Sequence, residues 1–233
     1  MPTLKSIERA ITSCERCPEL REYCAQVASE KRRAYAGQTY WGKPVPAFGD
    51  PNARLMLVGL APGAHGSNRT GRMFTGDASG DFLHPALYRA GFASQPNAAD
   101  VGDGLRLHDC IITAAGRCAP PKNKPTPQQL RNCFPYLLEE FDALPDLRVM
   151  VGLGSIGFDA LLKVLRERGF TFALPPVFAH GAESIAFNGS RRITTIASYH
   201  PSRQNTNTGK LTTAMFDAIF TRAKQLLQAT DSA

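Results

Sequence analysis

The sequence predicts an α/β fold, a single three-layer α/β/α domain built on a central, mainly parallel four-stranded sheet. Four apolar runs, at 55–60, 106–115, 147–154 and 193–199, have the length and composition of buried strands. Segments with helical spacing separate them, and strand–helix alternation gives parallel sheets covered on both faces. The 233 residues, 43% apolar and 20% charged, are enough for one sizeable core, and no repeat, low-complexity block or linker interrupts them. One domain over 1–233 is expected.

In chain order, helical spacing covers 3–12 and 18–33, with Cys14 and Cys17 at the join. A Gly- and Pro-containing approach over 36–53 leads to the first strand, LMLVGL, which ends at Gly59 and Pro62. The loop that follows carries His65, Asn68, Arg69, Arg72, Phe74 and Asp77. That is a base, an amide, two cations, an aromatic and a carboxylate on one long loop, and long loops after a parallel strand are usually functional. Residues 79–90 place Phe82, Leu83, Ala86 and Leu87 on one helical face. LRLHDCIITA supplies the second strand; Thr126 as N-cap and Pro127 in the first turn then open a helix to about residue 144. The third strand is followed by a helix over 155–168. Residues 177–187 read as an irregular hairpin or edge around His180, and the fourth strand precedes a terminal helix over 211–228.

A formal charge of +7 points to a polyanionic partner without saying anything of the fold. No run of apolar residues is long enough to span a bilayer, and the first residues lack an apolar signal core, so a cytoplasmic protein is expected. Cysteines in a reducing compartment are more often metal ligands than disulfides. Cys14 and Cys17 form a C-x2-C pair, and Cys118 and Cys133 flank a polar, Pro-rich stretch. Four thiolates suit a tetrahedral zinc or a [4Fe–4S] cluster, and spacing does not separate the two. Cys24 reads as a spare thiol and Cys110 as core.

The candidate residues fall just beyond strand ends. The first strand delivers the His65–Asp77 loop, the second delivers Cys118, and the fourth delivers His200, Pro201, Ser202, Arg203, Gln204 and Asn205. A parallel sheet gathers such loops at one edge, where a shared cleft is expected.

These loops resemble the uracil-DNA glycosylase superfamily, and within it the iron–sulfur branch called family 5 or type b. The first family motif corresponds to Gly59-Leu60-Ala61-Pro62 and the second to His200-Pro201-Ser202. The cluster ligands map onto Cys14, Cys17, Cys118 and Cys133, and Arg117 to Asn123 match the text between. The resemblance runs from Cys14 to the helix after Asn205. Many members carry a carboxylate or amide where this chain has Ala61. Related iron–sulfur glycosylases carry an Asn that reads the uracil edge where this chain has Ala114. The type b branch shares the alanine at the first position and is linked with a wider range of deaminated bases, hypoxanthine and xanthine among them.

The resemblance implies a monofunctional glycosylase that flips a deaminated base out of duplex DNA and hydrolyses its N-glycosidic bond, with a structural [4Fe–4S] cluster pinning residues 1–35. Such chemistry needs donors for the departing base and a group that orients water or stabilises the sugar cation. His200 is the candidate donor and Asp77 the candidate carboxylate. Asp81 is the runner-up, although both suit a helix N-terminus beside Ser79. Phe74 suits stacking on the base, or plain packing. Gly59, Ala61, His65, Asn68 and Asn123 complete the expected base site. Arg69 and Arg72, with Lys122, Lys124 and Lys210 nearby, suit phosphate contacts, and Ser202, Arg203, Gln204 and Asn205 suit the minor groove. A monomer is expected. The alternatives are an iron–sulfur damage-binding module without turnover and an iron–sulfur subunit of a polymerase or primase.

Overall fold

A computed structural model describes residues 2–231. Seven strands form one sheet: β1 (Phe48–Gly49), β2 (Leu55–Gly59), β3 (Cys110–Ala114), β4 (Val149–Leu153), β5 (Thr171–Phe172), β6 (Glu183–Asn188) and β7 (Arg191–Ser198). Their order is β1-β3-β2-β4-β7-β6-β5. The four predicted strands are its parallel centre, β3-β2-β4-β7. The other three pair antiparallel at the edges, so the sheet is wider than the four strands expected. β1 and β5 are two residues each, too short to show a period, and β6 (ESIAFN) is half polar because it is an edge-side strand.

Among the described residues eight α-helices accompany the sheet: α1 (Leu4–Thr12), α2 (Pro18–Glu30), α3 (Ser67–Thr70), α4 (Ala78–Arg89), α5 (Pro127–Asp142), α6 (Ser155–Glu167), α7 (Arg203–Asn207) and α8 (Thr213–Asp231). Thr126 caps α5 in a reciprocal box with Gln129. The second helix stops three residues before the predicted 33, because Lys31 takes φ +52° and breaks the ladder. The single turn α3 lies inside the loop that reads as structureless in sequence.

Alternation along the strands builds two cores. Leu55 and Leu57 of β2, with Val149 and Val151 of β4, face Leu83 and Leu87 of α4 and Phe216 and Phe220 of α8. Met56 and Val58, with Met150, face Phe141 of α5 and Phe158 and Leu161 of α6. Each such side chain contributes roughly 1.5–3 kcal/mol on burial. Gly157 lets α6 lie directly on β2, since a methyl there would overlap the Val58 carbonyl oxygen.

The N-terminal helices rest on α5. Ile7 and Ile11 pack on Tyr136, whose hydroxyl donates to the Ala10 carbonyl oxygen at 3.3 Å. Arg16 stacks over the Tyr136 ring and donates to the Asn132 carbonyl at 3.1 Å. No helix among the described residues is long and apolar enough to cross a membrane.

Beneath the carboxyl end of β3, Arg117 and Glu140 form an ion pair at 2.6 Å with both side chains 1% exposed, and Thr113 donates to the same carboxylate oxygen at 2.7 Å. Removing one partner of a buried pair strands the other charge and costs about 3–5 kcal/mol. Glu140→Leu is therefore expected to lower the urea midpoint of unfolding by that equivalent. A midpoint within experimental error of the parent would contradict it.

Candidate active site

The register fixes the edge on which the site is built. Gly59 pairs with Ala114, Val58 with Gly152, and Leu153 with Ser198, so the parallel strands end level. Beyond those ends come Leu60-Ala61-Pro62, Ala115-Gly116-Arg117, Gly154 and Tyr199-His200. Gly59 and Gly116 keep these segments close: Ala115 N–H donates to the Gly59 carbonyl and Gly116 N–H to the Leu60 carbonyl, both at 2.9 Å. A methyl on Gly116 would meet the Ala61 Cβ at 3.3 Å.

Phe74 is the centre of the arrangement. Its ring lies on Gly59, where a Cβ would come within 2.8 Å of Cε2, and 5.9 Å from the His200 ring at a 32° tilt. Its backbone sits at φ +50°, a conformation that costs a bulky residue about 1–3 kcal/mol. Gly154, at φ +87°, admits His200 on the other side: a Cβ there would lie 3.2 Å from the His200 Cβ. The His200 carbonyl accepts from Ser202 N–H at 2.8 Å and from Asn205 Nδ2 at 2.9 Å, which fixes the turn after β7. Neither ring nitrogen of His200 has a hydrogen-bond partner among the described residues. Burial lowers its pKa to about 4, so the ring is neutral near pH 7 and carries one N–H donor.

Asp77 caps α4. Its Oδ1 accepts from Ser79 N–H and Gly80 N–H, each at 3.0 Å. Its Oδ2 accepts from no donor among the described residues and lies over Gly63 and Gly66; a methyl on Gly63 would come within 2.9 Å of it, and one on Gly66 would overlap it. Burial raises the Asp77 pKa, opposed by the Gly80 and Ser79 N–H groups and reinforced by Asp81. Asp77 thus both ends a helix and presents a free carboxylate oxygen, so the capping and functional readings of the sequence describe different oxygens of one side chain. Asp81 is exposed in the first turn of α4.

The remaining predicted residues are distributed differently. Asn68 is fully buried and donates to the Cys24 and Ala64 carbonyls at 3.3 and 3.4 Å, tying the loop to α2 rather than facing a base. Arg69, 7% exposed, donates to the His65 carbonyl, Gln38 and the Gly76 carbonyl and stacks on Tyr35. Arg72, 5% exposed, grips Asp103 through both terminal nitrogens at 2.8 and 2.6 Å. Both guanidiniums are engaged inside the loop, where they hold its shape. The Arg72 partnership keeps the Asp103 carboxyl well below the ordinary carboxylate range against the opposing effect of burial. His65 binds Tyr40 Oη at 3.1 Å and lines a cavity with Val27, Lys31 and Arg32 on the α2 side of the loop. Asn123 lies on an exposed turn at φ +56°, next to exposed Lys122 and Lys124. Ser202 caps α7, and Asn205 serves the His200 carbonyl, while Arg203 and Gln204 are exposed.

His84 and Gly80 belong to the site and carry no motif. His84 is fully buried on α4 and its Nε2 meets the Phe74 carbonyl oxygen at 3.0 Å. Only the helical spacing of residues 80 and 84, read against an unknown neighbour, points to them in sequence. The 610 Å³ cavity lined by Arg148, Arg191 and Leu226 lies at the opposite edge, where β4 and β7 begin, and has no part in this site.

The thiols form a second neighbourhood. Cys17, Cys24 and Cys118 share an apolar cluster with Leu20 and Ala119. Cys133 is close enough to Cys17 and Cys14 that, after burial, their proximity pushes its thiol up, and the Arg117 N–H and charge pull it down. Cys118 is pushed up by Cys24, by burial and by Cys133. Asn132 Nδ2 donates to Cys17 Sγ at 3.2 Å. All six cysteines are free, and among the described residues no group of three or more His, Cys, Asp or Glu stands close enough together to hold a metal ion. Cys14, Cys17, Cys118 and Cys133 suit a thiolate-ligated centre by the chemistry of their donors, not by a preformed geometry.

The model of the Uracil DNA glycosylase superfamily matches residues 46–224. The chain is 51% identical over 218 residues to the type-5 uracil-DNA glycosylase of Thermus thermophilus, covering 94% of this chain and 95% of that protein. It is 45% identical over 213 residues to the type-5 uracil-DNA glycosylase of Pyrobaculum aerophilum, covering 91% and 88%. The type-4 uracil-DNA glycosylase of the same organism is 30% identical over 166 residues, covering 71% and 67%.

Burial lowers both His84 and His200 from the ordinary 6.5 to about 4. Below pH 6.5 the unfolded chain takes up protons that the folded chain refuses. Their stabilising contribution is thus complete above that pH and is lost as pH falls toward 4. The melting temperature is expected to fall across this window, and His200→Asn to flatten the fall. A melting temperature constant from pH 6.5 to 4 in the parent protein would contradict neutral histidines at these two positions.

Proposed function

The chain belongs to the uracil DNA glycosylase superfamily and is a DNA N-glycosylase, and we propose that it excises uracil, and with it hypoxanthine and xanthine, from duplex DNA. The observation that carries this reading is the neutral His200 ring set against Phe74 at the strand ends, with the free Asp77 Oδ2 on the adjoining loop. The extruded base stacks on Phe74, and the His200 N–H donates to the base oxygen on which charge collects. The bond from the sugar C1′ to the base nitrogen breaks, with its electron pair leaving on the base. Water adds its oxygen at C1′ and gives up a proton, which neutralises the departed base anion. Asp77 Oδ2 orients that water or offsets the positive charge on the sugar. A neutral donor suits an anionic leaving group because the charge difference appears only as the bond breaks.

The breadth of substrate rests on what the strand ends lack. Gly59, Ala61 and Ala114 have no side chain longer than a methyl, and no amide at Ala114 demands the uracil edge. Higher identity to the type-5 than to the type-4 relatives supports the same reading. Exposed Arg203 and Gln204, at the start of α7 beside His200, face the duplex, with Lys122 and Lys124 on the neighbouring turn.

Cys14, Cys17, Cys118 and Cys133 hold a [4Fe–4S] cluster in this proposal. The cluster supplies a covalent tie between α1–α2 and the segment after β3, and the base-excision steps use none of its electrons. Asn132 and Arg117 supply hydrogen bonds and charge to its thiolates.

Excision is tested on duplexes that each carry one uracil, hypoxanthine or xanthine. Abasic product is expected on all three; binding without abasic product on any would favour a damage-binding module instead. Asp77→Asn keeps the capping acceptor while removing the charge, so its stability should stay within about 0.5 kcal/mol of the parent. Its single-turnover excision should fall at least 100-fold, with duplex affinity changed less than about threefold. Equal losses in excision and affinity would remove Asp77 from catalysis. Anaerobically purified protein should be brown and hold about four irons per chain. One zinc per chain would replace the cluster, and Cys118→Ala should loosen α1–α2 to proteolysis in either case.

A further inference from the structure

We propose that His84 is a positioning residue for excision: its Nε2–H, donated to the Phe74 carbonyl oxygen, holds Phe74 in the left-handed conformation that lays its ring on Gly59 and against His200. This rests on the glycosylase reading for its functional consequence, while the hydrogen bond itself is a feature of the fold.

Several observations converge on that one carbonyl. The His84 Nε2 to Phe74 oxygen distance is 3.0 Å. A carbonyl only accepts, so the neutral ring must carry its proton on Nε2, and its Nδ1 is an acceptor. That Nδ1 is buried without a partner, a cost that a leucine of similar size would avoid. Packing alone therefore does not account for a histidine here. Four residues earlier, on the same face of α4, Gly80 faces the same oxygen: any methyl there would overlap it. The N–H of Gly80 is in turn bound by Asp77 Oδ1. One helical turn thus holds the free carboxylate at its start and the Phe74 carbonyl on its side. Phe74 has φ +50°, where a bulky residue persists only if its surroundings impose it. His84 and Gly80 are the groups that impose it.

The test is a double-mutant cycle between His84→Leu, which removes the donor, and Phe74→Gly, which removes both the ring and the conformational penalty. His84→Gln keeps an N–H at a comparable reach. Single-turnover excision of uracil is expected to fall about tenfold in His84→Leu, the rate equivalent of one hydrogen bond, and less than about threefold in His84→Gln. In the Phe74→Gly background, His84→Leu should change the rate by less than about twofold. Equal losses in the two backgrounds, or a His84→Gln as impaired as His84→Leu, would overturn the proposal. If the parent leaves uracil duplex intact, the proposed function fails by itself, and the same four proteins still decide the matter through their urea midpoints. His84→Leu should then lower the midpoint in the parent and clearly less beside Phe74→Gly. Equal shifts would reject the clamp.

Discussion

Four parallel strands that end level are the constraint on which the rest of the molecule depends. Because Gly59, Ala114, Leu153 and Ser198 terminate in register, the segments after them are forced together at one edge, though they are far apart in the chain. Glycines then set how closely they approach. Gly59 admits the Phe74 ring, Gly154 admits His200, and Gly63 and Gly66 admit the Asp77 carboxylate. The result is a site in which small residues at strand ends provide the space and loop residues provide the groups that fill it.

The chemistry of that edge depends on keeping charge low where the base departs. His200 is neutral because burial disfavours its charge, and the Asp77 carboxylate on the adjoining loop caps α4 through one of its two oxygens. The cations of the long loop are engaged within it. Arg69 and Arg72 satisfy carbonyls, Gln38 and Asp103, and so convert a loop with little secondary structure into a rigid support. Rigidity is needed there, because Phe74 is held in a conformation that a mobile loop would relax.

Charge therefore has two uses in this protein. The buried pair of Arg117 and Glu140 anchors the segment after β3 to α5, directly beside Cys118 and Cys133. The exposed cations, Arg203 and the lysines at 122 and 124, carry the excess of positive charge to the outside. Sequence alone treats all of them alike.

The four central strands, the six longer helices and their alternation were legible because burial on both faces writes continuous apolar runs, and Thr126-Pro127 writes a helix start; the short α3 and α7 were not. Gly59 was legible as the end of a strand, and Asp77 and His200 as residues beyond strand ends. The edge strands were not, since two-residue pairings and a half-polar strand leave no period to read. Nor were the fates of Arg69, Arg72 and Asn68: a guanidinium or an amide N–H in a loop reads as available until a carbonyl or carboxylate from elsewhere engages it. Asp77 as both cap and free oxygen, and His84 beneath Phe74, are facts of distance between groups, which a linear chain does not contain. The order of elements and the chemistry on offer were set by the sequence; which groups remain unpaired and face one another was decided by the packing of α4 and the β7 turn against the sheet edge.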